Sequence, residues 1–156
     1  MPYNIGVAKK KQAQAKRIVN RRAKFDYELG DSLVVGMQLT GAETKALRYG
    51  HGQLRGAFVN VKDNELWLVN AQVNSTSGIN IPEDAQTRSR KLLAKKSEIE
   101  RLMAAKQQGR TIVPLELLTQ GRYLKLRIAV GKGLKRYDKR ENLKRKQQER
   151  DAARNI

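Results

Sequence analysis

The chain has 156 residues, with 33 Lys or Arg against 15 Asp or Glu, a net charge of +18, and no Cys. This length suits one domain with short appendages, and the lack of Cys excludes a disulfide framework and the usual zinc-finger ligand sets. No run approaches the roughly 20 apolar residues of a membrane span, and the basic N-terminus is not followed by an apolar signal core. We therefore expect a cytoplasmic protein whose partner is a polyanion.

The positive charge is concentrated at the two ends of the chain. Residues 1–24 hold eight Lys or Arg and no acid, and residues 132–156 hold ten against four acids. The C-terminal run lacks the bulky apolar face that a helix lying on a membrane would bury, which favours a nucleic acid over a lipid surface. We predict a basic mobile arm over residues 1–18, a body over residues 19–131 and a basic tail over residues 132–156.

Elements in the first half of the body follow from periodicity and turn residues. The apolar, β-branched run Ser32–Thr40 predicts a strand. Good helix formers over Ala42–Tyr49, followed by Gly50, predict a short helix with a glycine stop. Two alternating apolar runs then flank Asp63-Asn64, which indicates a β-hairpin.

The second half begins with a loop over Asn74–Thr87, rich in Ser, Asn, Gly and Pro. After it, Arg88–Leu93 is a candidate sixth strand. The next segment predicts a helix, with an S-x-x-E capping box formed by Ser97 and Glu100 and a stop at Gly109.

A second hairpin is predicted around Gln120-Gly121. Pro114 in its first strand indicates an exposed edge or a bulge. Many short strands with few helices favour a mainly β fold with flanking helices, an antiparallel barrel of the oligonucleotide-binding (OB-like) type.

No cluster of residues in the sequence is arranged for catalysis. The single histidine, His51, cannot complete a metal site by the usual ligand counts, and a plain surface role is predicted for it. The GKG at Gly131–Gly133 lacks the spacing of a phosphate-binding P-loop. We expect a binding protein without a cofactor or metal rather than an enzyme, and a basic nuclease is disfavoured.

Four segments in a fixed order resemble the SsrA-binding protein family (small protein B). They are NRRAKFDY from Asn20, LTGAETKALRYG from Leu39, RSRKLLAKKSEIERL from Arg88 and GKGLKRYDKRENLKRK from Gly131. The resemblance implies an OB-like body that grips the tRNA-like domain of tmRNA. It also implies a basic tail that enters the vacant mRNA channel of a stalled ribosome, together with elongation factor Tu acting indirectly through alanyl-tmRNA.

The chain departs from the family pattern at several positions. Val34 stands where the family has an acidic residue, and Thr44 and Ala46 replace Val and Ser in the family's G-x-E-V-K-S-L-R. Leu134 replaces one of two lysines before the D-K-R signature. The resemblance is therefore to a divergent member.

The resemblance and the local charge together give two sets of candidate site residues. The predicted RNA-binding residues of the body and tail base are Asn20, Arg22, Lys24, Tyr27, Glu43, Lys45, Arg48, Arg88, Arg90, Lys91, Lys132 and Lys135. The predicted residues for the decoding site and mRNA channel are Tyr137, Asp138, Lys139, Arg140, Lys144 and Arg145.

The tail itself favours a helix, because Asp138 and Glu141 have capping-box spacing and good helix formers follow. It has almost no apolar stripe, so we predict that it is mostly unfolded alone and helical when RNA phosphates neutralise its cations. The alternative that it is solubilising padding stays open.

Two non-catalytic functions remain open from the sequence. The first is a monomeric ribosome rescue factor that binds tmRNA and the small subunit of a stalled ribosome during trans-translation. The alternative is a structural ribosomal protein or another rRNA-binding translation factor. Stoichiometry distinguishes them, because a structural protein copurifies with all ribosomes and a rescue factor is sparse.

Overall fold

The computed structural model describes residues 17–134 and 136–154, with only the backbone described at 136–139 and 142. Within these ranges there are nine strands: β1 (Ile18–Val19), β2 (Tyr27–Met37), β3 (Gly52–Gln53), β4 (Phe58–Lys62), β5 (Glu65–Val69), β6 (Gln72–Val73), β7 (Arg90–Leu93), β8 (Thr111–Leu118) and β9 (Lys125–Gly133). The helices of the same ranges are α1 (Ala23–Asp26), α2 (Gly41–Arg48), α3 (Lys96–Gln107) and α4 (Arg136–Arg154), with a 3-10 turn at Glu83–Ala85.

Seven strands form one antiparallel sheet in the order β1-β8-β4-β5-β7-β2-β9. Strand β8 pairs with β4 and also with β9, so the sheet closes on itself. Strands β3 and β6 form a separate two-stranded sheet. The predicted mainly β fold of OB-like type, with flanking helices, is confirmed.

The closed sheet surrounds one hydrophobic core. Because successive side chains of a strand point to opposite faces, alternate residues of a strand face the core. Leu66 and Leu68 of β5 and Leu126 and Ile128 of β9 are fully buried in this pattern. Each such side chain contributes roughly 1.5–3 kcal/mol through burial.

Both predicted hairpins are present. The β4–β5 turn is formed by Asp63 and Asn64, whose φ angles of 53° and 61° belong to the left-handed region. That conformation suits a two-residue turn, and Asp and Asn tolerate it. In the β8–β9 pair the register shifts between Pro114 and Glu116, so Pro114 marks a bulge in a strand paired on both sides and not an edge.

The two helices predicted in the body are present, and the capping of one differs from its prediction. Helix α2 is capped by Thr40, whose hydroxyl accepts from the Glu43 N–H at 3.1 Å. Helix α3 begins at Lys96, so the predicted capping box of Ser97 and Glu100 is wrong. Instead, the backbone N–H of Lys95, the residue before the helix, donates to the carboxylate of Glu98 at 2.9 Å.

Some boundaries differ from the sequence predictions. Strand β2 runs over Tyr27–Met37 and ends before Thr40. Ile18, assigned to a mobile arm, is buried and pairs with Leu117 of β8. The two-residue strands β1, β3 and β6 were missed because they are too short to show a period.

The predicted loop over Asn74–Thr87 is confirmed, with a β-bridge between Thr76 and Ile79. Gly131–Gly133 belongs to β9. A Cβ atom at Gly131 would lie 3.0 Å from the Tyr27 Cβ, so glycine suits this close approach of two strands.

The predicted tail helix is present as α4, which follows β9 closely. The Leu134 N–H donates to the Asp26 carbonyl at 2.9 Å and so fixes the base of the tail to α1. The sequence predicted a mostly unfolded tail without a partner, whereas here it is helical and touches α1. Residues 1–16 of the predicted arm lie outside the described residues. Among the described helices, none is long and apolar enough to cross a membrane.

Candidate nucleic-acid interface

The clearest polar cluster of the body is formed by Glu43, Arg88 and Arg90. Glu43 lies in the first turn of α2, Arg90 is the first residue of β7, and Arg88 lies two residues before that strand. The Glu43 carboxylate accepts from Arg88 at 2.6 and 3.0 Å, from Arg90 Nε at 2.7 Å, and from the Thr40 N–H at 2.9 Å. The side chains of Glu43 and Arg90 are 2% and 1% exposed. This cluster joins α2 to β7 inside the protein.

The Arg90 guanidinium is completely used by the fold. Besides Glu43, it donates to four backbone carbonyls at 2.8–3.2 Å: those of Ala71, Ala85, Gln86 and Arg88. A buried charge is stable only when it is paired and its donors are satisfied, and both conditions hold here. The side chains of Glu43 and Arg90, which were predicted to contact RNA, thus lie inside the protein, and their contact with RNA stays a prediction.

The environment of Glu43 also decides its ionisation. Burial raises its pKa, but hydrogen bonds from Arg88, the Thr40 backbone and Arg90 outweigh this and hold the pKa of the Glu43 carboxyl below its ordinary value. The carboxylate is therefore ionised at neutral pH and acts as a permanent anchor for two arginines. Arg88 is partly exposed, with 35% of its side chain accessible.

Arg48, at the end of α2, is a second predicted RNA-binding residue that the fold uses. Its Nη1 donates to the carbonyls of Thr119 and Gly121 at 3.0 Å, and its Nη2 donates to that of Arg122 at 2.7 Å. These bonds tie α2 to the loop between β8 and β9. Arg48 thus positions a loop, and backbone carbonyls engage three of its five N–H donors.

Asn20 and Tyr27 also have structural partners. The Asn20 side-chain N–H₂ donates to the Pro114 carbonyl at 2.9 Å, and its backbone N–H donates to Leu115 at 2.8 Å, so Asn20 holds the β8 bulge. Tyr27 is half-buried and lies opposite Gly133.

The other predicted cations of the body remain accessible. Lys24, Lys45 and Lys132 are exposed. Arg22 is exposed and lies 3.5 Å from Asp26, and Lys91 makes a partly exposed pair with Glu65 at 3.3 Å. Surface pairs of this kind are weak, so these cations are available to a stronger polyanion.

The tail helix adds a second set of cations. Arg140, Lys144 and Arg145 are exposed on α4. Lys146 lies over the Phe25 ring of α1, 4.1 Å from its centroid, and thereby brings the helix next to the body. Lys135 lies outside the described residues, as do the side chains of Tyr137, Asp138 and Lys139.

One pocket brings the two predicted sets together. It is lined by Lys24 and Tyr27 from the body set and by Arg145 from the tail set, with Glu141 beside them. Thus the predicted RNA-binding residues near α1 lie next to a predicted residue of the tail set, on one side of the molecule.

Sequence reasoning missed two exposed aromatic side chains, Tyr49 and Tyr123, which are 60% and 70% exposed. A signal was present, because each follows an arginine in a basic stretch, in LRYGH and in GRYLK.

A closed barrel with exposed cations and a basic tail helix is typical of small nucleic-acid-binding proteins. A family model described as SmpB protein matches residues 17–156. The chain belongs to the SmpB protein family.

Relatives and a solved structure agree with this assignment. An SsrA-binding protein from Trichormus variabilis is 41% identical over 138 residues, covering 86% of this chain and 88% of the relative. One from Parvibaculum lavamentivorans is 42% identical over 159 residues, covering 99% and 96%. A chain of the solved structure described as "tmRNA-SmpB: a journey to the center of the bacterial ribosome" is 35% identical with a TM-score of 0.62, covering 83% of this chain and 95% of that one.

Proposed function

We propose that this protein binds the tRNA-like domain of tmRNA and delivers it to stalled ribosomes for trans-translation, acting in the cytoplasm without catalysing a reaction. The observation that carries the proposal is the family match over residues 17–156. It is supported by the likeness to a chain from a tmRNA-SmpB structure at 35% identity and by the closed basic barrel.

In this proposal the body and the tail have different tasks. The exposed cations Lys24, Lys45 and Lys132 contact RNA phosphates, and Arg88 contributes its exposed edge. The tail occupies the empty mRNA channel near the decoding site through Lys139, Arg140, Lys144 and Arg145. Elongation factor Tu takes part only through the alanyl-tmRNA that it carries.

The buried cluster has an indirect part in this function. Glu43 and Arg90 fix the start of β7 against α2, and they thereby hold Arg88 and Lys45 on neighbouring elements. They are positioning residues in the proposal, and their loss acts on RNA binding through the fold.

The test separates the body from the tail by truncation. A chain ending at Leu134 retains all of β9 and the Leu134–Asp26 bond, so the barrel stays intact. We expect it to bind the tRNA-like domain of tmRNA in a gel-shift titration with most of the affinity of the full chain. Binding no better than that of the urea-unfolded protein would refute the division of tasks.

A charge reversal tests the contacts themselves. Lys45→Glu with Lys132→Glu removes two exposed cations and no hydrogen bond of the barrel. The slope of log affinity against log salt concentration should then fall by roughly 0.7–0.9 per lost contact. Lys62→Glu, an exposed lysine at the β4 end, is the control. An unchanged slope would mean that Lys45 and Lys132 face solvent in the complex.

A further inference from the structure

Two tyrosines are far more exposed than packing requires. Among the large hydrophobic side chains of the described residues, Tyr123 and Tyr49 are the most exposed, at 70% and 60%. Tyr49 follows the last residue of α2, and Tyr123 lies in the loop before β9. An aromatic ring presented to water within basic surroundings is a platform on which an unpaired nucleobase can stack.

The Tyr49 ring is held beside a second ring. Its centroid lies 6.2 Å from that of His51, with the planes tilted by 34°. The His51 N–H donates to the Ala46 carbonyl at 3.0 Å, and the His51 carbonyl accepts from Asn74 at 2.9 Å. Because these bonds fix the backbone on both sides of His51, the two rings extend from an ordered segment, and little backbone entropy is lost when a base settles on them.

A tight turn borders this platform. Thr76 and Ile79 exchange two backbone hydrogen bonds of 3.0 and 2.9 Å, and Ser77 and Gly78 are exposed at the tip. The pocket between the turn and the helix is lined by Lys45, Tyr49, His51, Thr76, Ser77, Gly78 and Ile79. The pocket combines aromatic rings, on which a nucleobase can stack, with a lysine and hydroxyl groups, which can bind the phosphate of the same nucleotide.

The second platform is Tyr123, and the fold connects it to the first. The Arg122 guanidinium lies over the Tyr123 ring, 5.6 Å from its centroid. Arg48, the residue before Tyr49, donates to the carbonyl of Arg122, the residue before Tyr123. Arg48 therefore fixes the two tyrosine-bearing segments relative to each other.

We propose that these segments bind two unpaired nucleotides of an RNA loop. One base stacks on Tyr49 beside His51, and a second base stacks on Tyr123. Lys45 and Arg122 neutralise the adjoining phosphates. Here Lys45, Tyr49, His51, Arg122 and Tyr123 are called the tyrosine surface. The inference rests on the proposed RNA binding and specifies that the body binds unpaired RNA. Bases in a paired A-form helix are not available for stacking on a side chain.

The experiment compares two RNA probes with the full chain. One is a hairpin with a large unpaired loop, and the other is a fully paired duplex with the same number of phosphates. We expect the protein to prefer the hairpin. Tyr49→Ala and Tyr123→Ala should each weaken hairpin binding by about fivefold or more, leaving duplex binding and the salt slope unchanged. Tyr49→Phe and Tyr123→Phe, which keep the ring, should bind as the parent does.

Phe58→Ala is the matched control, because Phe58 is also an exposed aromatic side chain, on β4 and outside the tyrosine surface. Thermal unfolding by circular dichroism verifies that each variant is folded. Equal binding of hairpin and duplex by the parent, unchanged hairpin binding by both Ala variants, or a loss also in the Phe variants would overturn the inference while tmRNA binding stands. A parent that binds neither probe nor the tRNA-like domain would overturn the proposed function as well.

Discussion

Glu43 shows how a residue within a family motif can serve the fold instead of the partner. Its carboxylate collects four hydrogen bonds, two from Arg88, one from Arg90 and one from the Thr40 N–H. Removing one member of a buried charge pair costs far more than the pair contributes, because the remaining charge is left without compensation. The effect of Glu43 on RNA binding should therefore follow its effect on stability.

We predict that Glu43→Gln lowers the free energy of unfolding by about 3–5 kcal/mol, since Arg90 stays buried without a counter-charge. Urea unfolding at neutral pH measures this. Glu65→Gln is the control, because Glu65 makes a half-exposed pair with Lys91. That control should cost no more than about 1 kcal/mol. Equal, small losses in both variants would show that the buried cluster is not an anchor.

The lowered pKa of Glu43 predicts a specific loss of stability in acid. A carboxyl whose pKa is lower in the folded state contributes stability above its unfolded pKa, near 4.5, and loses it as the pH falls through the folded value. Urea unfolding from pH 6 to pH 2.5 should show a steeper decline for the parent than for Glu43→Gln. Parallel curves would contradict the assignment, because other carboxyls titrate equally in both proteins.

At the scale of elements, the sequence predicted the strands and helices whose residues show a periodic pattern. It missed the elements that form only because another strand pairs with them. Alternation and the Asp63-Asn64 turn located the β4–β5 hairpin, and helix formers with Gly50 located α2. The two-residue strands β1, β3 and β6 exist only because other strands pair with them. The candidate site shows the same limit. Lys45 and Arg90 were both predicted as RNA-binding residues, and only the fold shows that Lys45 is exposed and Arg90 is buried.

The tail helix depends on context in the same way. Its described contacts with the body include Lys146 over the Phe25 ring and the Leu134–Asp26 bond at its base. An isolated helix of this length is marginal in water even for a favourable sequence, and this one carries repelling cations.

We therefore predict little helix in a peptide of residues 132–156 by circular dichroism, and a rise in helix on adding a structured RNA at low salt. Raising the salt concentration should reverse that rise, because the phosphates act by neutralising charge. The same peptide with Lys144 and Arg145 replaced by Gln is the comparison, and it should respond less to RNA. A peptide that is fully helical without RNA would show that α4 needs neither the body nor a partner.

For the whole molecule, net charge overstates the number of contacts that the body can make with RNA. Arg48, Arg88 and Arg90 bind backbone carbonyls or Glu43, so they maintain the barrel. Among the cations predicted to bind RNA, the exposed ones are Arg22, Lys24, Lys45 and Lys132 of the body and Arg140, Lys144 and Arg145 of α4. Because the tail cations lie on a separate helix that follows the barrel, they can act on a second partner while the body holds the first.

The last prediction tests that separation. Under the proposed function, Asp138, Lys139 and Arg140 reach the decoding region, where no codon is present, and the tail helix fills the empty channel. Replacing all three by Ala should leave binding of the tRNA-like domain unchanged, because the barrel and its exposed cations are intact. The same change should abolish peptide tagging on stalled ribosomes in a reconstituted translation assay.

The matched control replaces Arg150, Asp151 and Arg154 by Ala, which removes the same two positive charges and one negative charge from the far end of α4. The two triple variants match in charge and differ in position along the helix, and the control also loses the exposed Arg154–Asp151 pair and the Gln147–Asp151 hydrogen bond. We expect the control to tag stalled chains at close to the parent rate, since net charge alone does not place a residue at the decoding region. Normal tagging by the Asp138–Arg140 variant would mean that the tail is solubilising padding, whereas equal loss in both variants would mean that it acts through charge without a defined register.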